Sequence, residues 1–254
     1  MSRLAAVALL TLLAACERPA PQGDPEALAL LDRARAHHGS ALLDDATVRF
    51  AFRGTPFVAE RDGGRFRYSR TLTDERGRVI EEVVDNDGAH RFVDGVEAPL
   101  TADGAAALTT GVNSVVYFAL LPAPLADPAV RARLLTPDRV GGEDYDRVEV
   151  TFAQNGGGAD YQDRYVYWLR QSDGQIGHYA YTYEVTPGDT ARAATGTRFR
   201  VPIRTWREGG VVFQDWRNLS ADSLGALRAF GDAYDAGRTF EVSTVVLDSV
   251  RVER

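Results

Sequence analysis

Apolar and polar positions follow three different rhythms along this chain. From Leu4 to Leu13 the run is apolar, broken only by Thr11. From Asp24 to Gly39 the apolar positions Leu28, Leu31 and Ala34 fall at helical spacing. Asp24 is placed to cap that helix, Pro25 suits its first position, and Gly39 suits its end. The period then changes to two. Val48, Phe50 and Phe52 alternate with Arg49, Ala51 and Arg53, and Gly63-Gly64 predicts a turn. Strands are predicted at Arg65 to Leu72, Arg78 to Asp85 and His90 to Val93, punctuated by Glu75-Arg76-Gly77, Asn86-Asp87-Gly88 and Asp94-Gly95. Short alternating runs between such turns describe an antiparallel meander.

The middle of the chain is richer in Ala and Leu. Ala102 to Leu108 and Val115 to Leu135 predict two or three short helices, interrupted by Pro122, Pro124 and Pro128 and closed by Pro137. Strands return at Asp144 to Phe152, Tyr161 to Leu169, Ile176 to Val185, Gly196 to Trp206 and Val211 to Arg217, with Ser172-Asp173-Gly174 as the clearest hairpin turn. Ala221 to Ala236 predicts an amphipathic helix capped by Ser220, and Arg238 to Val252 a long terminal strand. The expected fold is α+β. It has one large curved antiparallel sheet, a half-barrel of about ten strands, with helices packed on or in the concave face. Residues 26–254 form a single β domain, with a helical insert at 102–135.

The N-terminus changes the picture. Arg3, the apolar run to Leu13, and Ala14-Ala15-Cys16 form the three parts of an export signal. The run is too short for a membrane-spanning helix, which needs roughly 20 residues. Leu13-Ala14-Ala15-Cys16 resembles the cleavage site of bacterial lipoprotein precursors, with Cys16 as the lipidated residue. That implies a signal peptide over 1–15 and a membrane anchor on Cys16; stable anchoring takes more than one acyl chain. Residues 16–25 read as a tether rich in proline, unable to bury a core. Glu17 follows the cysteine, where aspartate favours inner-membrane retention in some bacteria. The expected address is therefore the envelope, at the outer membrane rather than the inner.

Charge and composition narrow the function classes. The formal charge is −7, and loss of residues 1–15 removes Arg3 and no acid, giving −8. Nucleic acid needs a basic face and is not an expected partner. Every one of the 29 bases is arginine. The mature chain has no cysteine to spare for a disulfide, so its stability must come from a packed core.

Catalytic signatures are weak. Cys16 is committed to lipid, and no Gly-x-Ser-x-Gly elbow occurs. The histidines are His37, His38, His90 and His178, without a His-x-x-x-His pair, so no metal site and no cofactor are expected. Asp85-Asn86-Asp87-Gly88 opens like a calcium loop but lacks the later ligands and reads as a turn. Asn155-Gly156-Gly157-Gly158 has glycine enough for a phosphate cradle but no following Lys-Ser/Thr. His178, beside the tyrosines, is the one candidate for an unmarked enzyme site. Asp163, Asp215, Arg198 and Arg204 are candidates for a structural ion pair within the sheet.

The most informative constellation is aromatic. Tyr161, Tyr165 and Tyr167 share one strand parity, and Tyr179, Tyr181 and Tyr183 share one on the next strand. Trp168 takes the opposite parity. A tyrosine face across a hairpin either lines a cavity or forms a cross-strand ladder that holds the sheet. With the insert, the candidate lining is Tyr117, Phe118, Leu121, Tyr165, Tyr167, Trp168, Tyr179 and Tyr181.

The leading helix before Val48-Arg49-Phe50, the Tyr165-Val166-Tyr167-Trp168 hairpin to Tyr181, and a helical plug between two meanders resemble the lipoprotein-carrier superfamily, the Lol carrier and its outer-membrane receptor. Other pieces resemble an uncharacterised family of bacterial envelope lipoproteins, a domain of unknown function. These are Tyr117-Phe118-Ala119-Leu120-Leu121-Pro122 with Leu125 and Asp127, Gly142 with Tyr145 to Phe152, Tyr167-Trp168, and Gly196-Thr197-Arg198-Phe199. The resemblance implies a half-barrel over an apolar cavity. The expected function is binding of a lipid or other apolar ligand by a membrane-anchored lipoprotein that is not an enzyme. The alternatives are an interaction module of an envelope complex and an enzyme with an unmarked site.

Overall fold

The computed structural model describes residues 20–154, 162–183, 196–222, 224 and 226–254. The elements run β1 (Gln22–Gly23), α1 (Pro25–His38), β2 (Ala46–Phe52), β3 (Thr55–Asp62), β4 (Arg65–Thr73), β5 (Val79–Asp85), β6 (Gly88–Val93), β7 (Val96–Ala98) and α2 (Ala102–Ala119). They continue with β8 (Val130–Val140), β9 (Glu143–Phe152), β10 (Tyr165–Arg170), β11 (Ile176–Tyr183), β12 (Gly196–Glu208), β13 (Val211–Ala221), α3 (Phe230–Asp235), β14 (Thr239–Val245) and β15 (Leu247–Glu253).

The α+β class and the large curved antiparallel sheets are as expected. The strands divide, however, into two sheets rather than one of about ten. A seven-stranded sheet has the order β15-β2-β3-β4-β5-β6-β7, and an eight-stranded sheet the order β1-β8-β9-β10-β11-β12-β13-β14. Neighbours are antiparallel except for the short β1 beside β8.

The sheets are joined at the C-terminus. The predicted terminal strand breaks at Val246: β14 closes the edge of one sheet, and β15 pairs with β2 of the other. Asp215 on β13 fixes the crossing. Its Oδ1 accepts the Leu247 N–H at 2.9 Å, and its Oδ2 accepts Arg204 Nε at 2.9 Å. The expected ion pair of the sheet is therefore present, and its work is structural.

Helix α1 matches its sequence signals. Pro25 occupies the first turn and Gly39 ends the helix in the left-handed region at φ 71°. A β-carbon at Gly39 would lie 2.6 Å from the Gly210 carbonyl oxygen, so both backbone conformation and space require glycine. Asp24 does not cap its own helix; its Oδ2 accepts the Leu134 N–H at 2.8 Å and ties α1 to β8. Ala27, Leu31, Ala34 and His38 form the buried face. A fully buried leucine such as Leu31 contributes roughly 2 kcal/mol by area removed from water.

The helical insert is shorter than the 102–135 expected. Leu108, Val112, Val115, Val116 and Ala119 form one buried stripe, so a single helix, α2, spans the Thr109–Ser114 stretch. Thr101 caps it by accepting the Gly104 N–H at 3.1 Å. A single 3-10 turn follows at Ala123–Ala126, and Val130–Val140 is a strand. There Val130 and Ala132 are buried while Arg133 is exposed, and Pro137 falls where the register slips between Leu135 and Asp138, a place that demands no backbone donor.

Three core clusters result. The first packs α2 against the seven-stranded sheet and the Val211 end of β13. The second packs α1, Leu121 and Leu125 against one face of the eight-stranded sheet. The third covers that sheet's other face with Phe230 and the neighbouring Leu227. Among the described residues no helix is long and apolar enough to cross a membrane.

Candidate functional site

The hairpin β10–β11 builds the site. Its turn is organised by Asp173, whose carboxylate accepts Arg170 Nε at 3.0 Å and Nη2 at 2.7 Å and the Gln175 N–H at 3.0 Å. The resulting register sets Tyr165 opposite Tyr181 and Tyr167 opposite Tyr179. Directly opposed residues project to one face of an antiparallel pair. The four rings therefore form a patch, with centroids 5.5 Å apart for Tyr165–Tyr181, 5.8 Å for Tyr167–Tyr179 and 5.9 Å for Tyr165–Tyr167.

Helix α2 reaches this patch. It gives its buried stripe to the seven-stranded sheet, and Tyr117 and Phe118 extend to the tyrosine face. The Tyr117 and Tyr167 hydroxyls share a hydrogen bond at 3.0 Å, and the Tyr117 ring lies 5.5 Å from that of Tyr165. Leu121 is buried in the same cluster. Burial pushes the phenol groups of Tyr117, Tyr165, Tyr167 and Tyr179 up, so all four stay neutral at physiological pH.

Seven of the eight expected lining residues thus meet in one cluster. Trp168 does not. It projects through the other face of β10, where it packs edge-on against Phe199 and donates its Nε1–H to Asp138 Oδ2 at 2.9 Å. The pleat explains the correction, because adjacent residues of a strand face opposite sides. His178 shares Trp168's side rather than the tyrosine side. It is buried, stacked on Phe199 and edge-on to Tyr145, and burial lowers its pKa to about 4. It is no proton donor beside the tyrosines. Cys16, Tyr161 and the Asn155–Gly158 loop lie outside the described residues.

The expected lining is packed rather than open: Tyr167 has no exposed surface and Tyr179 has 2 %. Two surface hollows lie elsewhere. One of about 340 Å³ is lined by Pro137, Asp138, Arg139, Asp144 and Gln171. One of about 560 Å³ lies between β6, β7 and the start of α2. Among the described residues no three His, Cys, Asp or Glu side chains converge on a metal position.

Two residues that the sequence reading did not single out complete the site. Arg200 on β12 lies opposite Tyr179 on one side and opposite Asn218 of β13 on the other. Asn218 in turn faces Ser243 of β14 and donates to its Oγ at 3.1 Å. Tyr179, Arg200, Asn218 and Ser243 thus form a row across four strands. Arg200 is only 6 % exposed. Its Nη2 donates to the Tyr181 hydroxyl at 2.9 Å, and its guanidinium lies 5.5 Å from the Tyr181 ring centre and 5.8 Å from that of Phe118. Its Nε and Nη1 meet no partner, nor do the Tyr179 hydroxyl and Asn218 Oδ1. Strand parity with Tyr179 was the signal that would have found Arg200, once the β11–β12 register was assumed.

Among solved structures, a DUF1329 family protein from Desulfovibrio piger aligns over 89 % of this chain and 92 % of its own, at 11 % identity and a TM-score of 0.37. A putative outer membrane lipoprotein-sorting protein domain from Vibrio parahaemolyticus aligns over 76 % and 86 %, at 10 % identity and a TM-score of 0.40. The lipoprotein LppX of Mycobacterium tuberculosis aligns over 63 % and 89 %, at 13 % identity and a TM-score of 0.29. No curated protein matches. A family model described as a family of unknown function, DUF6503, matches residues 56–246, most of the folded part, and the chain belongs to that family.

Proposed function

We propose that this chain is a lipoprotein of the bacterial envelope, anchored through lipid on Cys16, whose folded part binds a lipid or other apolar ligand at the tyrosine face. Binding, rather than catalysis, is the reading the side chains favour. The observation that carries it is the way α2 meets that face. The helix is seated on the seven-stranded sheet by its own apolar stripe and touches the tyrosines through Tyr117 and Phe118. Those two rings cover the α2 side of the tyrosine face, the place that a flexible apolar chain would take. Tyrosine suits such a surface because its ring is apolar and its tip is polar. The acidic balance of the chain leaves anchoring to the lipid on Cys16 and not to surface charge. Glu17 after the cysteine favours the outer membrane.

The test is native mass spectrometry of the mature chain carrying Cys16→Ser, followed by organic extraction. A lipid that co-purifies in stoichiometric amount is the expected result. A clean apo mass, unchanged after incubation with lipid extracts, overturns the reading and makes the tyrosine face a packed ladder.

A further inference from the structure

A buried guanidinium ordinarily has a carboxylate or a full set of acceptors, because an unpaired charge in a low-dielectric interior is costly. Arg200 has one hydrogen bond, to the Tyr181 hydroxyl, and two N–H-bearing nitrogens without an acceptor. No carboxylate forms a salt bridge with it among the described residues. Beside it in register, the Tyr179 hydroxyl is a third unmatched donor. Three unmatched donors on two residues paired across adjacent strands, beside an aromatic patch, are the complement of an anion with several oxygens.

We propose that Arg200, with Tyr179 beside it, holds the anionic head group of a single-chain amphiphile whose apolar tail lies on Tyr165, Tyr167 and Tyr181. The head is a carboxylate or a phosphate monoester. This deepens the apolar-ligand reading above and rests on it. Phe118 lies over the guanidinium in a cation–π contact and is the side chain that must give way to the head group. Asn218, held by Ser243, limits the far end of the row. The aromatic patch explains retention of the tail, and Arg200 explains selection among amphiphiles of equal chain length. A neutral alcohol leaves the guanidinium as it finds it; a carboxylate satisfies it.

The experiment is isothermal titration of the mature Cys16→Ser chain with dodecanoate, dodecyl phosphate, dodecanol and inorganic phosphate. Dodecanoate and dodecyl phosphate are expected to bind about 10- to 100-fold more tightly than dodecanol, the range for hydrogen bonds to a charged group. Arg200→Met should abolish that preference by bringing dodecanoate and dodecyl phosphate down to the affinity of dodecanol, and Arg200→Lys should retain part of it. Thermal unfolding of both variants checks that they fold. The wild-type head-group comparison stands without any variant. Equal affinity for dodecanol and dodecanoate, or an undiminished preference in Arg200→Met, overturns the assignment of Arg200 and leaves apolar binding in place. Inorganic phosphate binding as tightly as dodecyl phosphate overturns the amphiphile in favour of a free anion. Failure of all three dodecyl compounds to bind overturns the underlying reading itself.

Discussion

Two arginines are buried in the eight-stranded sheet, one on each face, and they are treated in opposite ways. Arg147, 8 % exposed, sits on the Trp168 face. Its guanidinium donates to Asp138 Oδ2 at 3.0 Å, to the Thr136 and Arg228 carbonyl oxygens at 2.8 and 2.9 Å, and to Thr136 Oγ1 at 3.0 Å. Asp138 also takes the Trp168 N–H, so this face is locked by a network in which each member satisfies another. Arg200, on the tyrosine face, has a single neutral partner. The lesson is that burial alone does not distinguish a structural charge from a functional one. The state of its hydrogen bonds does. A satisfied network rigidifies a core, and an unsatisfied buried group costs stability.

The largest effect should come from the locked face. Arg147→Met removes the cation paired with the half-buried Asp138 and empties the network on this face, and is expected to destabilise the protein by about 3 kcal/mol in urea unfolding. Arg200→Met strands no carboxylate, and its stability should equal or exceed that of the parent. Equal, large losses in both variants would break the comparison between the two faces.

Acid comes next. Unfolded, an imidazole takes its proton near 6.5; in the folded protein burial holds His178 back to about 4 and His38 to about 3. The unfolded chain therefore binds more protons as pH falls below 6.5, and stability falls with it until about pH 3. The cost is on the order of 3 kcal/mol for each histidine by pH 4. Melting temperature followed from pH 7 to pH 4 should show the decline, and His178→Gln should remove about half of it, leaving the part due to His38. A pH-independent melting point in that window contradicts the assignment.

Smaller effects sharpen the picture. A β-carbon on Gly231 would lie 2.7 Å from Asp138 Oδ2 and 2.8 Å from Val140 Cγ2. Gly231→Ala should therefore cost about 1–3 kcal/mol by crowding the locked face. On the tyrosine face, Tyr117→Phe removes the bond to Tyr167 and should cost about 1 kcal/mol. Tyr179→Phe deletes a hydroxyl that bonds nothing and should change stability by less than about 0.5 kcal/mol. Chemical denaturation of the pair side by side checks the order.

These features were unequally legible in the sequence. Helix α1 was readable nearly to the residue because its signals are local: Pro25 at the start and Gly39 at the end. Strand β3 was missed because its turn is Arg53-Gly54, with φ of 51° and 78°, and an arginine in the left-handed region lacks the usual Asn-Gly or Asp-Gly mark. The helix expected over Ala221–Ala236 shrank to Phe230–Asp235, preceded by a 3-10 turn at Leu227–Ala229. Ser220, the supposed cap, pairs with Phe240 in the sheet, so strand pairing overrode local helix preference. The tyrosine face was visible from parity within two strands. The Tyr179–Arg200–Asn218 row was not, because it exists only through the register of three separate strands, and no local pattern marks an arginine as buried.

The hand-over from β14 to β15 carries a consequence for the order of assembly. Strand β2 is made long before its partner β15, with Thr47 opposite Glu253. Pairings so distant in sequence are slow to form. The seven-stranded sheet keeps a raw edge at β2 until the C-terminus arrives, and such edges recruit other chains. A chain that has not yet made β15 cannot complete this sheet. Strand β15 thus acts as a clasp on the seven-stranded sheet: a chain cut short before Leu247 would leave β2 as an open edge, prone to aggregation.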